Sequence, residues 1–291
     1  MRYVRAFLSL VAAVLVAFPA SARPPHPLMW VVKDRDSTVY LFGSIHVMKD
    51  GVPWLTPRIR RRFDSASELW LEVADLDDDA AMQAVAQRYD ANPAGNMTQG
   101  LSNDEIGRLD AILRRHGLST GQLMGMKKWM VGMIAEDEAI ADLGYQPRLG
   151  VDRTLLDRAR QQGKPVHGFE TAGQQMAMVA SANDAEDLAS LRESLKDIDD
   201  LSHDLPPLFT AWEQGDEKAL DTFLVAKFRD EDPDGYRKLI VARNAAWEPQ
   251  IETILNGRGT AFVAVGAAHL VGPDGLIALL KAHGIAARQL P

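Results

Sequence analysis

Two histidines close the same phrase near opposite ends of this chain. Val39-Tyr40-Leu41-Phe42-Gly43-Ser44-Ile45-His46 and Ala261-Phe262-Val263-Ala264-Val265-Gly266-Ala267-Ala268-His269 each carry an apolar run into Gly-x-x-His. Both runs are short, β-branched and aromatic, and read as buried strands. Two further strand-like runs end on carboxylates: Glu68 to Val73 brings Glu72 near its carboxyl end, and Pro165 to Phe169 leads into Glu170. If the four strands lie side by side and parallel, His46, Glu72, Glu170 and His269 converge on one sheet edge, where open α/β sheets place their ligands. Two imidazoles and two carboxylates suit a divalent ion such as Mn, Co, Fe or Zn. An ion there would activate water and polarise a carbonyl, or one carboxylate could stay unligated as a general base. Each residue also has a plainer reading on its own: a turn glycine, a hydrogen-bonded loop histidine, a solvent-facing Glu72, and a Glu170 that stabilises the helix after it.

Gly43 and Gly266 each stand three residues before a histidine, where a turn must begin. At least one is expected to have positive φ, or to pack so closely that a Cβ would clash. Arg243-Asn244, within a helical stretch, either reaches this site or makes a surface salt bridge. The remaining histidines are plainer: His26, His116, His203 and His283 fall in loops or at helix ends, and His167 lies within the fourth strand. The chain has no His-Glu-x-x-His helix, P-loop, Gly-x-Gly-x-x-Gly turn or Gly-x-Ser-x-Gly elbow.

The elements that would hold these residues alternate plainly at the two ends and are helical between. Leu28 to Val32 and Thr38 to Phe42 read as a hairpin. Thr56-Pro57 is an N-cap and N1 pair for a helix to Ser65. Asp75 to Asp79 reads as a solvated helix N-terminus. Ser102-x-x-Glu105 is a capping box, and Gly117 ends that helix. A helix runs from Leu123 to Leu143, with core as the simplest reading of its apolar face. Gly150-Val151-Asp152 opens a helix that stops at Gly163. Helices follow from Thr171 to about Asn256, with boundaries expected at Asp204 to Pro207, Gly215 and Asp232 to Gly235. A helix Leu276 to His283 and a last strand Ile285 to Leu290 close the chain. The expected architecture is one α/β domain over residues 23–291: a mixed sheet with strands from both chain ends, covered by two large helical blocks.

With 291 residues, 46% of them hydrophobic, the chain can bury one large core or two small ones. Arg2 and Arg5, the uncharged apolar run Ala6 to Phe18, and Ala20-Ser21-Ala22 have the layout of a secretory signal cleaved after Ala22. The alternative is an uncleaved membrane anchor, for which the run is short. Cleavage would remove those two arginines and no acids, taking the formal charge from −8 to −10. Such a balance argues against nucleic acid as a partner. Without cysteine there is no disulfide, thiolate metal site or cysteine nucleophile. The expected location is a bacterial periplasm or the secreted fraction, with no membrane span once the leader is gone.

Taken together and in order, the blocks resemble the TraB/PrgY/GumN proteins, relatives of the Tiki metalloproteases. They are Val39 to His46, Glu72, Gly150-Val151-Asp152, Gly168-Phe169-Glu170-Thr171, Arg243-Asn244, and Val265-Gly266-Ala267-Ala268-His269-Leu270-Val271-Gly272. The resemblance spans roughly Leu28 to Leu290. It implies a fold similar to that of erythromycin esterase and the haem-binding ChaN proteins. It also implies that His46 and His269 are the family's paired Gly-x-x-His residues and Glu72 a third member, with Glu170 and Arg243 at family positions. Tiki relatives are Mn- or Co-dependent peptidases, and some bacterial members are tied to pheromone shut-down or exopolysaccharide clusters. The expectation is therefore an exported metal-dependent hydrolase acting on a peptide or another small envelope substrate. Its rival is a non-catalytic binding protein that uses the same cleft for a peptide, haem or an envelope component.

Overall fold

Among the described residues eight strands organise the chain: β1 (Met29–Lys33), β2 (Ser37–Ser44), β3 (Met48–Lys49), β4 (Glu68–Val73), β5 (Tyr145–Gln146), β6 (Val166–Glu170), β7 (Gly259–Gly266) and β8 (Ala287–Gln289). The computed structural model describes residues 24–75, 77–92 and 95–291, so the expected leader, residues 1–22, lies outside the described residues. Six strands form one sheet in the order β6-β4-β7-β2-β1-β8, while β3 and β5 pair separately. The four strands β6, β4, β7 and β2 are mutually parallel; β1 and β8 complete the edge antiparallel. The central strand β7 shows why: Ala261 to Val265 are all buried, an unbroken apolar run that only a strand covered on both faces can hide. Strands from both ends of the chain thus share the sheet.

Helices cover it. Thr56 and Pro57 start the helix Pro57–Ser65, whose Ile59 and Phe63 are fully buried. The capping box is present as read: Ser102 Oγ accepts from the Glu105 N–H at 3.2 Å, and Glu105 Oε2 accepts from the Ser102 N–H at 2.6 Å. The helices Asn103–Arg114, Lys128–Asp142 and Asp184–Gln214 enclose a second apolar core around Leu109, Leu113, Val131 and Leu191, apart from the main core on the sheet. Among the described residues no helix is long and apolar enough to cross a membrane.

Four features differ from the sequence reading. The boundary expected at Asp204 to Pro207 is absent, because the helix Asp184–Gln214 runs straight through Pro206 and Pro207. Both prolines are exposed, so the carbonyls deprived of helical donors face water. Phe209 and Trp212, one turn further on, stay buried and hold the helix in place. The helix expected from Leu123 begins only at Lys128, after a 3₁₀ turn over Thr120–Leu123. The last strand is shorter, Ala287–Gln289, and the β3–β5 pair was not read at all, since two residues carry no periodicity.

The loop after β2 is pinned to the helix Val151–Gln161. Ile45 O accepts the Val151 N–H at 2.9 Å, and a Cβ on Gly150 would lie 2.1 Å from His46 O. Only glycine lets these two backbones approach so closely. Gly150→Ala should therefore push the His46 loop off the helix and cost about 1–3 kcal/mol of stability. Urea denaturation beside wild type checks this, and an unchanged midpoint would show that the loop is not seated there.

Candidate active site

The parallel order brings the carboxyl ends of β2, β7, β4 and β6 to one edge, and with them His46, His269, Glu72 and Glu170. Their meeting point is Gly266. A Cβ built there would lie 3.1 Å from Glu72 Oε1, 3.6 Å from His46 Nε2 and 3.7 Å from His269 Cδ2. Neither Gly266 nor Gly43 has positive φ. Gly43 is not a turn residue, because β2 continues through Ser44, pairing Gly43 with Val265 and Ser44 with Gly266. Close approach explains both glycines: a Cβ on Gly43 would meet the Ala267 Cβ at 3.3 Å, and one on Gly266 would crowd the Glu72 carboxylate.

Each histidine is anchored through Nδ1. His46 Nδ1 lies 2.8 Å from Asp152 Oδ2, and the other oxygen of Asp152 accepts from Ser44 Oγ at 2.7 Å. Asp152 stands in the first turn of the helix Val151–Gln161. His269 Nδ1 lies 2.7 Å from Asn244 Oδ1. The Asn244 amide is oriented in turn, because its Nδ2 donates to Asp274 O at 2.8 Å. That orientation makes His269 Nδ1 the donor and leaves Nε2 as the acceptor. The two Nε2 atoms are thereby left to the site, an arrangement common among metal-ligating histidines.

Arg243 occupies the middle. Its Nη2 donates to Glu72 Oε2 at 2.5 Å and to Glu170 Oε1 at 2.6 Å, and its Nη1 donates to His269 Nε2 at 3.0 Å and to Leu239 O at 3.2 Å. The guanidinium lies over the Trp247 ring, 4.5 Å from its centroid. Glu72 Oε1 accepts the Gly266 N–H at 2.6 Å. Gln175 Nε2 reaches Glu170 at 3.2 Å and Glu72 at 3.5 Å. The side chains of Glu72, Glu170 and Arg243 are all at least nine-tenths buried.

These contacts set the protonation states. Burial works against ionisation of Glu72, but the charges of His269, His46 and Arg243 and the Gly266 N–H outweigh it and hold the carboxyl at about 2. Burial also pushes Glu170 upward, with Glu72 repelling it and Arg243 pulling the other way. Burial depresses His269 to about 4, so it is neutral near pH 7. The Asp152 carboxylate raises His46 to about 9, against the effect of burial and with further help from Glu72. The His46 side chain is 66% exposed, and it opens on a cleft of about 650 Å³ that Glu72, Asp152, Arg148, Arg153 and Gln175 also line. His269, Glu170 and Arg243 lie behind that cleft rather than on its wall.

The donor types fit a borderline divalent ion, since neutral imidazole and carboxylate are its usual ligands. Glu72 Oε1 keeps a lone pair after accepting from Gly266, and His46 Nε2 has no hydrogen-bond partner among the described residues. His269 Nε2 has a single lone pair, and Arg243 takes it. Among the described residues, three ligand atoms come within 4.8 Å of one another at Glu248, Glu252 and His283; the His46–Glu72–His269 set is wider. In this arrangement a guanidinium stands where an ion would complete the set.

Sequence reasoning named Asp152 and Ser44 only as parts of motif blocks, named Asn244 beside Arg243 without a role, and missed Gln175. An acid in the first turn of a helix opened by Gly150 was the available sign for Asp152. Gln175 carries none beyond its place one turn after Glu170. The other histidines lie away from the site: His116 pairs with Glu138 and Asp142, His167 stacks on Trp70, and His203 sits beside Asp204.

Comparison with known proteins finds relatives whose own activity is not described. The uncharacterized protein YbaP of Escherichia coli (strain K12) is 27% identical over 242 residues, 83% of this chain and 87% of YbaP. An uncharacterized protein of Treponema pallidum (strain Nichols) is 23% identical over 282 residues, 91% of this chain and 83% of its own. The TraB/PrgY/gumN family matches residues 28–289, a span that takes in the whole sheet, both Gly-x-x-His ends and the helix bearing Arg243, and the chain belongs to that family.

Proposed function

We propose that the protein is an exported, metal-dependent hydrolase that cleaves a peptide-like envelope substrate in the cleft beside His46 and Glu72. The observation that supports this reading most is the pair of anchored histidines. Asp152 and Asn244 hold the two Nδ1 atoms, and both rings lie with Glu72 around Gly266. His46, His269 and Glu72 would hold the ion, and what it would supply there is activation of water and polarisation of a carbonyl. The chain's own residues do the rest. The Leu71, Val73 and Leu156 side chains give the cleft an apolar wall. Glu170, which Gln175 contacts in turn, holds Arg243 behind the cleft, where its charge favours negative charge developing on a substrate carbonyl. Glu72, kept ionised by its surroundings, serves as ligand or as general base.

A second reading, a non-catalytic binding cleft for a peptide, haem or an envelope component, draws on the position of Arg243. The guanidinium already balances Glu72 and accepts the place at His269 Nε2. Three measurements separate the readings. His46→Ala and His269→Ala should each lose bound Mn, Co, Fe or Zn together with peptide cleavage, assayed by metal content and a peptide library. Wild-type protein that binds none of the four ions and cleaves nothing would leave the binding reading in place.

Glu72→Gln tells ligand from base. A base can be removed with the metal retained and turnover reduced by roughly 10²–10⁴-fold, whereas loss of a ligand weakens the metal as well. Metal affinity and kcat measured on the same preparation decide between them.

Arg243→Met removes the competing cation. Without metal it should lose about 3–5 kcal/mol of stability, the cost of leaving buried carboxylates without their partner. Added Mn or Zn should then raise the melting temperature of the variant more than that of wild type. Equal shifts in the two proteins would mean that guanidinium and metal do not compete.

A further inference from the structure

We propose that Glu248, Glu252 and His283 form a second, structural site for a divalent cation, of the kind zinc fills, separate from the cleft. Glu248 and Glu252 stand one turn apart on the helix Ala242–Leu255, so their side chains share a face. His283 is the first residue after the helix Leu276–Ala282. One ligand atom from each comes within 4.8 Å of the others. His283 Nδ1 lies 2.7 Å from Glu248 Oε1 and 3.4 Å from Glu252 Oε1. Two helices therefore present one imidazole nitrogen and two carboxylates from fixed backbone positions, a ligand set that zinc accepts.

The charge balance favours a cation there. Among the described residues neither glutamate pairs with a lysine or an arginine; a single imidazole faces both. The Glu248 side chain is only 5% exposed, and burying a carboxylate without full compensation is costly. Burial and the neighbouring Glu252 both push the Glu248 carboxyl upward. A divalent ion relieves that repulsion, leaves His283 neutral, and brings two carboxylates and one ion to zero net charge. The carbonyl end of the helix Leu276–Ala282 adds a negative dipole at the same point. Glu252 and His283 are 35% and 56% exposed, so the outer side is open for water to complete the coordination. An ion here would clamp the two helices together. The same Ala242–Leu255 helix carries Arg243 and Asn244, in its first turn, to the side chains behind the cleft, so the clamp steadies those two as well.

The test uses metal-stripped protein titrated with Zn(II), read by calorimetry, metal content and thermal melting. A His46→Ala/His269→Ala double variant removes binding at the cleft. It should still take up one zinc and melt at a higher temperature when loaded. On that background His283→Ala and Glu252→Gln should each weaken zinc by about 100-fold or more, since even residues behind a ligand typically cost 10–100-fold. Circular dichroism identifies the folded variants, and the half-exposed Glu252 gives a substitution that leaves Glu248 and its packing in place. Zinc uptake by the double variant that disappears with either change establishes the site. No uptake, or uptake unaffected by both changes, overturns it and leaves an imidazolium–carboxylate pair only.

Discussion

The buried Arg243 guanidinium is the charge on which the rest of the site depends. Glu72 and Glu170 approach each other from adjacent strands, nine-tenths buried, and two bare carboxylates could not share that space. Arg243 donates to both and stacks on Trp247, and its remaining N–H reaches His269. A planar fork with five donors can satisfy all of these at once, which an ammonium could not. Its grip on Glu72 Oε2 also decides where the other oxygen goes, onto the Gly266 N–H at the end of β7. Charge pairing and strand geometry therefore fix one carboxylate from two directions.

The sheet makes this meeting possible. The residues concerned come from four strands and a helix scattered between positions 46 and 269, and parallel pairing alone aligns their carboxyl ends. The register has a consequence of its own. Because Ser44, not Gly43, faces Gly266, the two Gly-x-x-His phrases are offset by one residue across the pair. His46 thus follows its strand by two residues and His269 by three. Identical spacing in sequence leads to different placement: His46 at the open cleft, His269 behind it and almost fully buried.

Much of this was legible in the sequence, for identifiable reasons. Unbroken apolar runs such as Ala261 to Val265 declare central parallel strands, and a strand pattern ending on a chemically useful residue locates a sheet edge. The capping box at Ser102 announces its own hydrogen bonds. What stayed hidden depends on contacts between distant segments. Nothing near Asp152 says that its carboxylate meets His46, and nothing near Asn244 says that Asp274 orients it. The helix through Pro206 and Pro207 was misread because local propensity favours a break, whereas burial of Phe209 and Trp212 holds the helix together. For Gly43 the sequence leaves a turn and a close approach both open, since a glycine serves either. The structure uses it for close packing against Ala267 inside a continuing strand.

One anchoring contact and one difference in burial explain why a repeated motif does not repeat its chemistry. His46 rests on a carboxylate and faces solvent, so its imidazolium is favoured and its pKa rises to about 9. His269 rests on a neutral amide in the interior beside Arg243, so burial drives its pKa down to about 4. Between those two values one ring carries a proton and the other a lone pair that Arg243 holds, on either side of an ionised Glu72. Environments that push like groups apart in pKa are how a single site comes to hold both an acid and a base. Here that separation is produced by the Asp152 carboxylate beside one ring and by burial around the other.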